Sequence, residues 1–180
     1  YPVEVCVRQL KEPKVILESA DMGTYGEFTD IAALQDCHNP FDAFALHKAA
    51  LIACGVIPAE GGSLNSITDR IGGLYLSTQM HNVPKGSGLG TSSILAGACV
   101  KALFKYFGIP CTEPDLYNHA MCMEQIMSTG GGWQDQVGGM TEGIKYITSA
   151  PGSRQILSVR HISVPEPAQR ELQERFALIY

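Results

Sequence analysis

Pro84-Lys85-Gly86-Ser87-Gly88-Leu89-Gly90-Thr91-Ser92-Ser93 is the stretch on which the reading of this chain turns. Residues 74–79 ahead of it have the β-branched and aromatic pattern of a strand. Residues 91–107 behind it read as a helix, stopped by Gly108 and Pro110. Glycine at 86, 88 and 90 lets the backbone take positive φ and approach a ligand with no Cβ in the way. The helix that follows offers unpaired N–H groups and the positive end of its dipole, so phosphate is the natural guest. The hydroxyls of Thr91, Ser92 and Ser93 suit three roles: capping the helix, bonding phosphate, or ligating a Mg²⁺ held between phosphates. Familiar phosphate loops do not fit the spacing. A Walker A loop needs a Lys after its last glycine, the dinucleotide fingerprint needs glycine where Thr91 stands, and the protein-kinase landmarks are absent.

The chain has 180 residues, 45% of them hydrophobic and 17% charged, with a formal charge of −5. That is one domain's worth of globular chain. The mild acidity argues against a nucleic-acid partner, which needs a basic footprint, and no apolar run is long enough to span a membrane. Eleven of the 19 glycines fall between positions 84 and 143, which marks where the chemistry should lie. The six cysteines contain no Cys-x-x-Cys pair and no zinc spacing. Cys6 and Cys99 sit in apolar patterns, so buried, reduced thiols and a cytoplasmic home are expected. Tyr1 at the start and the apolar run at 177–180 make both ends read as cut.

Outward from the loop, residues 3–8 and 14–19 predict two strands across the Pro13 break, while 27–34 fit neither template. Residues 41–54 predict a helix ended by Gly55, and 58–71 read as a polar, Gly-rich loop. A second helix is expected at 113–127, a hairpin from 143–148 and 156–163, a short helix at 166–174 and a last strand at 176–180. Strands and helices are grouped rather than strictly alternating, which favours an α+β domain over a doubly wound sheet.

Downstream lie two carboxylates. Leu116, Ala120, Met123 and Met127 form an apolar stripe along the second helix, with Glu124 at its margin. A carboxylate there is costly to bury unless paired, so Glu124 either reaches water or serves as a Mg²⁺ ligand opposite Ser92, hard oxygens for a hard ion. Further on, Ser128-Thr129-Gly130-Gly131-Gly132-Trp133-Gln134-Asp135-Gln136-Val137-Gly138-Gly139 sets one Asp between two carboxamides and two glycine runs. This reads as a Gly-rich turn packed around a small substrate, with Gln134 and Gln136 orienting a carboxylate or sugar hydroxyls without adding charge.

The spacing Pro84-x-x-x-Gly88-Leu89-Gly90-Thr91-Ser92-Ser93 resembles the phosphate-binding motif of the GHMP small-molecule kinases, the superfamily of galactokinase, homoserine kinase and mevalonate kinase. Within it, residues 130–139 resemble the signature of the L-fucose kinases. The resemblance implies an α+β, GHMP-kinase-like fold, its N-terminal part a ribosomal-protein-S5-like β-α-β unit followed by the start of a C-terminal subdomain. It implies ATP and Mg²⁺ as cofactors, with Pro84, Gly86, Ser87, Gly88, Leu89, Gly90, Thr91, Ser92 and Ser93 around the nucleotide. It further implies Ser92 and Glu124 on the metal, Asp135 as the catalytic residue, and Gly131, Gly132, Trp133 and Gln134 beside the sugar. The implied reaction phosphorylates L-fucose at its anomeric hydroxyl, giving fucose 1-phosphate. Asp135 would orient that hydroxyl, a carboxylate being a weak base for it. Lys85 suits either a phosphate contact or a solvated turn, and Lys101 and Lys105 read as solvated charge. The alternatives are a GHMP kinase for another sugar, such as a heptose phosphate, and a non-catalytic module that senses sugar or nucleotide. The family's N-terminal sugar motif and C-terminal glycine-rich loop have no counterpart in 1–180. The chain is therefore expected to be an incomplete GHMP kinase domain, inactive alone, from a protein that can be fused to a nucleotide-sugar pyrophosphorylase-like domain.

Overall fold

A computed structural model describes residues 3–39, 41–81, 90–129, 132–152 and 155–177. The loop candidates Pro84, Gly86, Ser87, Gly88 and Leu89, together with Lys85 and Gly131, lie outside the described residues. The chain divides into two compact units, residues 1–140 and 141–180.

The first unit is built on a four-stranded mixed sheet. Strands β1 (Val3–Leu10), β2 (Val15–Ser19), β3 (Thr24–Phe28) and β4 (Gly73–Met80) lie in the order β1-β4-β2-β3. β2 and β4 run parallel, Leu17 opposite Leu76, while β1–β4 and β2–β3 are antiparallel. A parallel pair needs a crossover, and helices α1 (Ile31–Gln35), α2 (Ala45–Ala53) and α3 (Leu64–Ile71) make it. This is the β-α-β unit expected of the N-terminal part. On β1 the side chains alternate, with Val5 and Val7 packed on the core and Glu4, Cys6 and Arg8 on the open face. Cys6 is therefore exposed, against the expectation of a buried thiol, because its register puts it on the face the helices leave uncovered. Cys37 and Cys99 are buried, and burial pushes the Cys37 thiol up to about 11.

Helices α4 (Thr91–Tyr106) and α5 (Glu113–Ile126) complete the core. Ser93, Ala96, Gly97, Val100, Leu103 and Phe104 recur at helical spacing down α4 and are all buried. Leu17, Leu74 and Leu76 of the sheet, Leu51 of α2, Leu103 of α4 and Met123 of α5 are each at most 1% exposed in one cluster. Full burial of such a side chain is worth about 1.5–3 kcal/mol. α5 starts at a capping box: the Asp115 N–H donates to Thr112 Oγ1 and the Thr112 N–H to Asp115 Oδ2.

Two polar groups of α2 are also buried. His47 Nε2 lies 3.1 Å from the Glu18 carbonyl oxygen and 2.9 Å from Thr78 Oγ1, tying α2 to β2 and β4. Lys48 donates to Asp42 Oδ2 at 2.5 Å and to the Asp36 carbonyl at 3.3 Å, 5.1 Å from the Phe28 ring centroid.

In the second unit, β5 (Lys145–Ala150) and β6 (Ile156–His161) form an antiparallel hairpin, followed by α7 (Glu166–Arg175). Among its described residues only Thr141 is buried, while Ile144, Tyr146, Ile156, Ile162, Leu172 and Phe176 are exposed. Forty residues are too few to enclose a core of their own.

Four boundaries differ from the sequence reading. Residues 58–71 are not all loop: α3 forms because Leu64, Ile67 and Ile71 share one face, a stripe masked by its polar neighbours. Residues 27–34 divide between the end of β3 and α1. α2 begins at Ala45 rather than 41, since Asp42 Oδ1 accepts the Phe44 N–H in a preceding turn. Phe176 and Ala177 are not in a strand, and 178–180 lie outside the described residues.

Candidate functional site

The site is assembled at the start of α4. Gly90 takes φ 66°, a left-handed conformation costly for other residues, and its carbonyl accepts the Ile94 N–H at 3.0 Å. Thr91 is half-buried and Ser92 is exposed, while Ser93 turns inward and is 1% exposed. Sixteen residues of helix aim their positive end at this turn.

Glu124 comes to it from α5. It is 9% exposed, so its carboxylate does not reach out to water as a marginal helix residue would. The Ser93 hydroxyl donates to its Oε1 at 3.4 Å. At the other end of the residue, Thr129 folds back where Ser128 takes φ 57°, and its N–H and hydroxyl both donate to the Glu124 carbonyl, at 3.1 and 3.2 Å. Among the described residues no Lys, Arg or His pairs with this carboxylate.

Asp135 does not sit in a turn, as the flanking glycines suggested. Trp133–Met140 is a helix, α6, with Asp135 exposed in its first turn. A carboxylate there is favoured by the helix dipole, and of the two glycines in the last turn Gly139 serves packing. A Cβ on Gly139 would stand 2.8 Å from Ile94 Cγ1 and 3.6 Å from the Gly90 oxygen. Gly97 likewise admits Met140. The side chains of Ile94 and Met140 fill the spaces that these two glycines leave, α6 packs closely on α4, and the Asp135 carbonyl is 3.9 Å from where a Cβ on Gly90 would be. The first turn of α4 thus meets the Glu124 carboxylate on one side and the Asp135 segment on the other. Gly132, Trp133 and Gln134 lie at the same end of α6, Gly132 and Gln134 exposed and Trp133 half-buried.

Two residues behave differently from their sequence context. Gln136, read together with Gln134 as a substrate-orienting amide, is fully buried, and neither of its amide atoms has a hydrogen-bond partner among the described residues. Ser93, read with Thr91 and Ser92 as a hydroxyl for capping, phosphate or metal, turns inward instead and is the group that touches Glu124. The signal for it lay in its register, three and four residues before Ala96 and Gly97 on the buried stripe.

The donor set suits the implied metal. Mg²⁺ typically takes one or two protein carboxylates together with substrate phosphates and water. A buried carboxylate with no Lys, Arg or His partner among the described residues fits that habit, and the amide-rich start of α4 fits phosphate. Among the described residues no group of three or more His, Cys, Asp or Glu is placed to hold a metal by itself.

Residues 59–143 match the family model described as the GHMP kinases N terminal domain. Over these residues, a little under half of the chain, it is similar to the N-terminal domain of the GHMP kinases. It is 34% identical over 163 residues to the L-fucokinase/L-fucose-1-P guanylyltransferase of Bacteroides fragilis, covering 88% of this chain and 17% of that protein. It is 38% identical over 139 residues to the bifunctional fucokinase/GDP-fucose pyrophosphorylase of Arabidopsis thaliana, covering 77% of this chain and 12% of that one. The chain therefore spans less than a fifth of the length of either relative. Among solved structures it superposes on the mevalonate kinase of Methanococcus jannaschii with a TM-score of 0.65 at 14% identity, over 90% of this chain and 47% of that one. That likeness supports the GHMP kinase fold. Among the described residues no helix is long and apolar enough to cross a membrane.

Proposed function

We propose that this GHMP-kinase-like segment carries the phosphate-binding and catalytic part of an ATP-dependent sugar kinase that converts L-fucose to fucose 1-phosphate. The observation that carries the reading is the meeting of three features: the α4 N-terminus, the buried Glu124 carboxylate, which among the described residues has no cationic partner, and the Asp135 segment. Similarity to two fucokinases over most of the chain supports fucose as the sugar.

In this reading Gly90, Thr91 and Ser92, with residues 84–89 ahead of them, bind the phosphates through backbone N–H groups and hydroxyls, while the buried Ser93 hydroxyl faces Glu124 instead. Ser92 and Glu124 hold Mg²⁺, which neutralises charge on the phosphates when bound. Asp135 orients the anomeric hydroxyl and takes up its proton as the hydroxyl oxygen bonds to the γ-phosphorus of ATP and the bond from that phosphorus to the ADP oxygen breaks, ADP leaving. Gly131, Gly132, Trp133 and Gln134 line the sugar. Phosphoryl transfer asks a protein mainly for positioning and electrostatic stabilisation, and a rigid three-helix junction provides both. The motifs that close the sugar and nucleotide sites come from the rest of the longer protein, which, like the two relatives, joins the kinase to a nucleotide-sugar-forming domain. We place its work in the cytoplasm.

The test supplies the full-length protein with MgATP and a panel including L-fucose, galactose, mannose and heptose phosphates, and measures ADP release. Turnover on L-fucose above all others is expected. Turnover on another sugar alone would overturn the substrate, and sugar binding with no ADP release would make the protein a sensor.

A further inference from the structure

Ser93 is a hydroxyl where the helix otherwise wants hydrocarbon. It opens the buried stripe of α4 that continues through Ala96, Gly97, Val100 and Leu103. An alanine would satisfy that packing, and a buried hydroxyl without a partner carries a desolvation cost. What the hydroxyl does instead is touch Oε1 of Glu124, 3.4 Å away. The backbone of Glu124 is held independently by the two Thr129 bonds. With its main chain fixed by Thr129 and Oε1 fixed by Ser93, the carboxylate keeps Oε2 without a protein partner among the described residues.

We propose that Ser93 is a positioning residue for Glu124, holding one carboxylate oxygen so that the other is presented to the cation that accompanies the nucleotide. The inference rests on Glu124 as a metal ligand. A glutamate has three side-chain torsions to freeze before it can ligate, and a bond made in advance removes part of that entropic cost. It also gives this chain a division of labour between adjacent hydroxyls: Ser92, exposed, toward the ligand, and Ser93, buried, toward the ligand's ligand. Outer-shell partners of this kind typically change metal affinity about 10–100-fold when removed.

The test uses the full-length protein with a non-hydrolysable ATP analogue and Mn²⁺, counting free Mn²⁺ by electron paramagnetic resonance. Parent, Ser93→Ala, Ser93→Thr and Glu124→Gln are compared, with metal-free nucleotide affinity and the unfolding midpoint measured alongside. Ser93→Ala is expected to weaken Mn²⁺ about 10-fold, with metal-free nucleotide affinity and midpoint unchanged. Ser93→Thr, which keeps the hydroxyl, should return to within about threefold of the parent. Parent-like Mn²⁺ binding in Ser93→Ala beside a weakened Glu124→Gln would overturn the role of Ser93 and leave the metal site standing. Parent-like binding in all variants would overturn the metal site and this inference with it. Equal weakening in Ser93→Ala and Ser93→Thr, or a midpoint that falls with the affinity, would assign Ser93 to packing and overturn the proposal.

Discussion

Acidification from pH 7.5 to 5.0 acts on this fold through His47, and its cost can be worked from the structure. The imidazole is 2% exposed, and desolvation lowers its pKa from 6.5 to about 4. Its bond to the Glu18 carbonyl and the charges of Asp21 and Asp42 oppose that shift without cancelling it. The bonding explains the direction. A carbonyl only accepts, so Nε2 carries the proton, and Nδ1 is buried with no partner among the described residues. A second proton would create a buried N–H with nothing to receive it. In the unfolded chain the same residue titrates near 6.5. The unfolded state therefore binds more protons between pH 6.5 and 4, and stability rises with pH across that window. It is fully present above 6.5 and lost as pH falls toward 4. For these two pKa values the loss between pH 7.5 and 5.0 is about 2 kcal/mol. Other groups also titrate here, so the quantity to measure is a difference. Urea unfolding of the parent chain and of His47→Gln at pH 7.5, 6.5, 5.5 and 5.0 isolates it. The parent should lose about 2 kcal/mol more than the variant across that range. Parallel curves for the two proteins would refute the reasoning, since they would mean that His47 titrates alike in both states.

Two further stability outcomes follow from neighbouring contacts. Asp42→Ala leaves Lys48 buried without its carboxylate and should cost about 3–5 kcal/mol, whereas Lys48→Met, which removes the buried charge, should be close to neutral in the same urea titration. Thr112→Ala breaks the capping box of the helix that carries Glu124 and should cost about 1 kcal/mol, read as a shifted midpoint with unchanged slope.

The parts of this structure that could be read in advance were those where one physical signal dominated. α4 and α5 each carry a full apolar stripe between clear stop signals, and both formed within a residue or so of expectation. The β2–β4 parallel pair was foreshadowed only by the β-α-β unit that the family resemblance implies, because nothing local in the strands fixes their pairing. α3 was missed because three apolar residues in eight positions are outweighed by polar neighbours until the core beside β4 is there to receive them. α6 was missed for the opposite reason: the glycines around Asp135 look like turn formers, but two of them, at 138 and 139, sit inside a helix. Gly139, together with Gly97 on α4, lets α6 approach α4, a requirement that exists only once the two are packed. The same gap hid the roles of Ser93 and Gln136. Local sequence marks them as polar, and only tertiary packing decides that Ser93 reaches Glu124 and that Gln136 is enclosed.

The central claim is that the α4–α6 junction brings Asp135 to a sugar hydroxyl beside the phosphate site. It is tested most directly by single-turnover phosphorylation of L-fucose by full-length parent and Asp135→Asn, with sugar and nucleotide affinities measured separately. The substitution keeps the shape of the side chain but removes the negative charge and the proton acceptor. The rate should fall at least about 100-fold, with both affinities within about threefold of the parent. A variant that phosphorylates fucose at the parent rate would contradict the account.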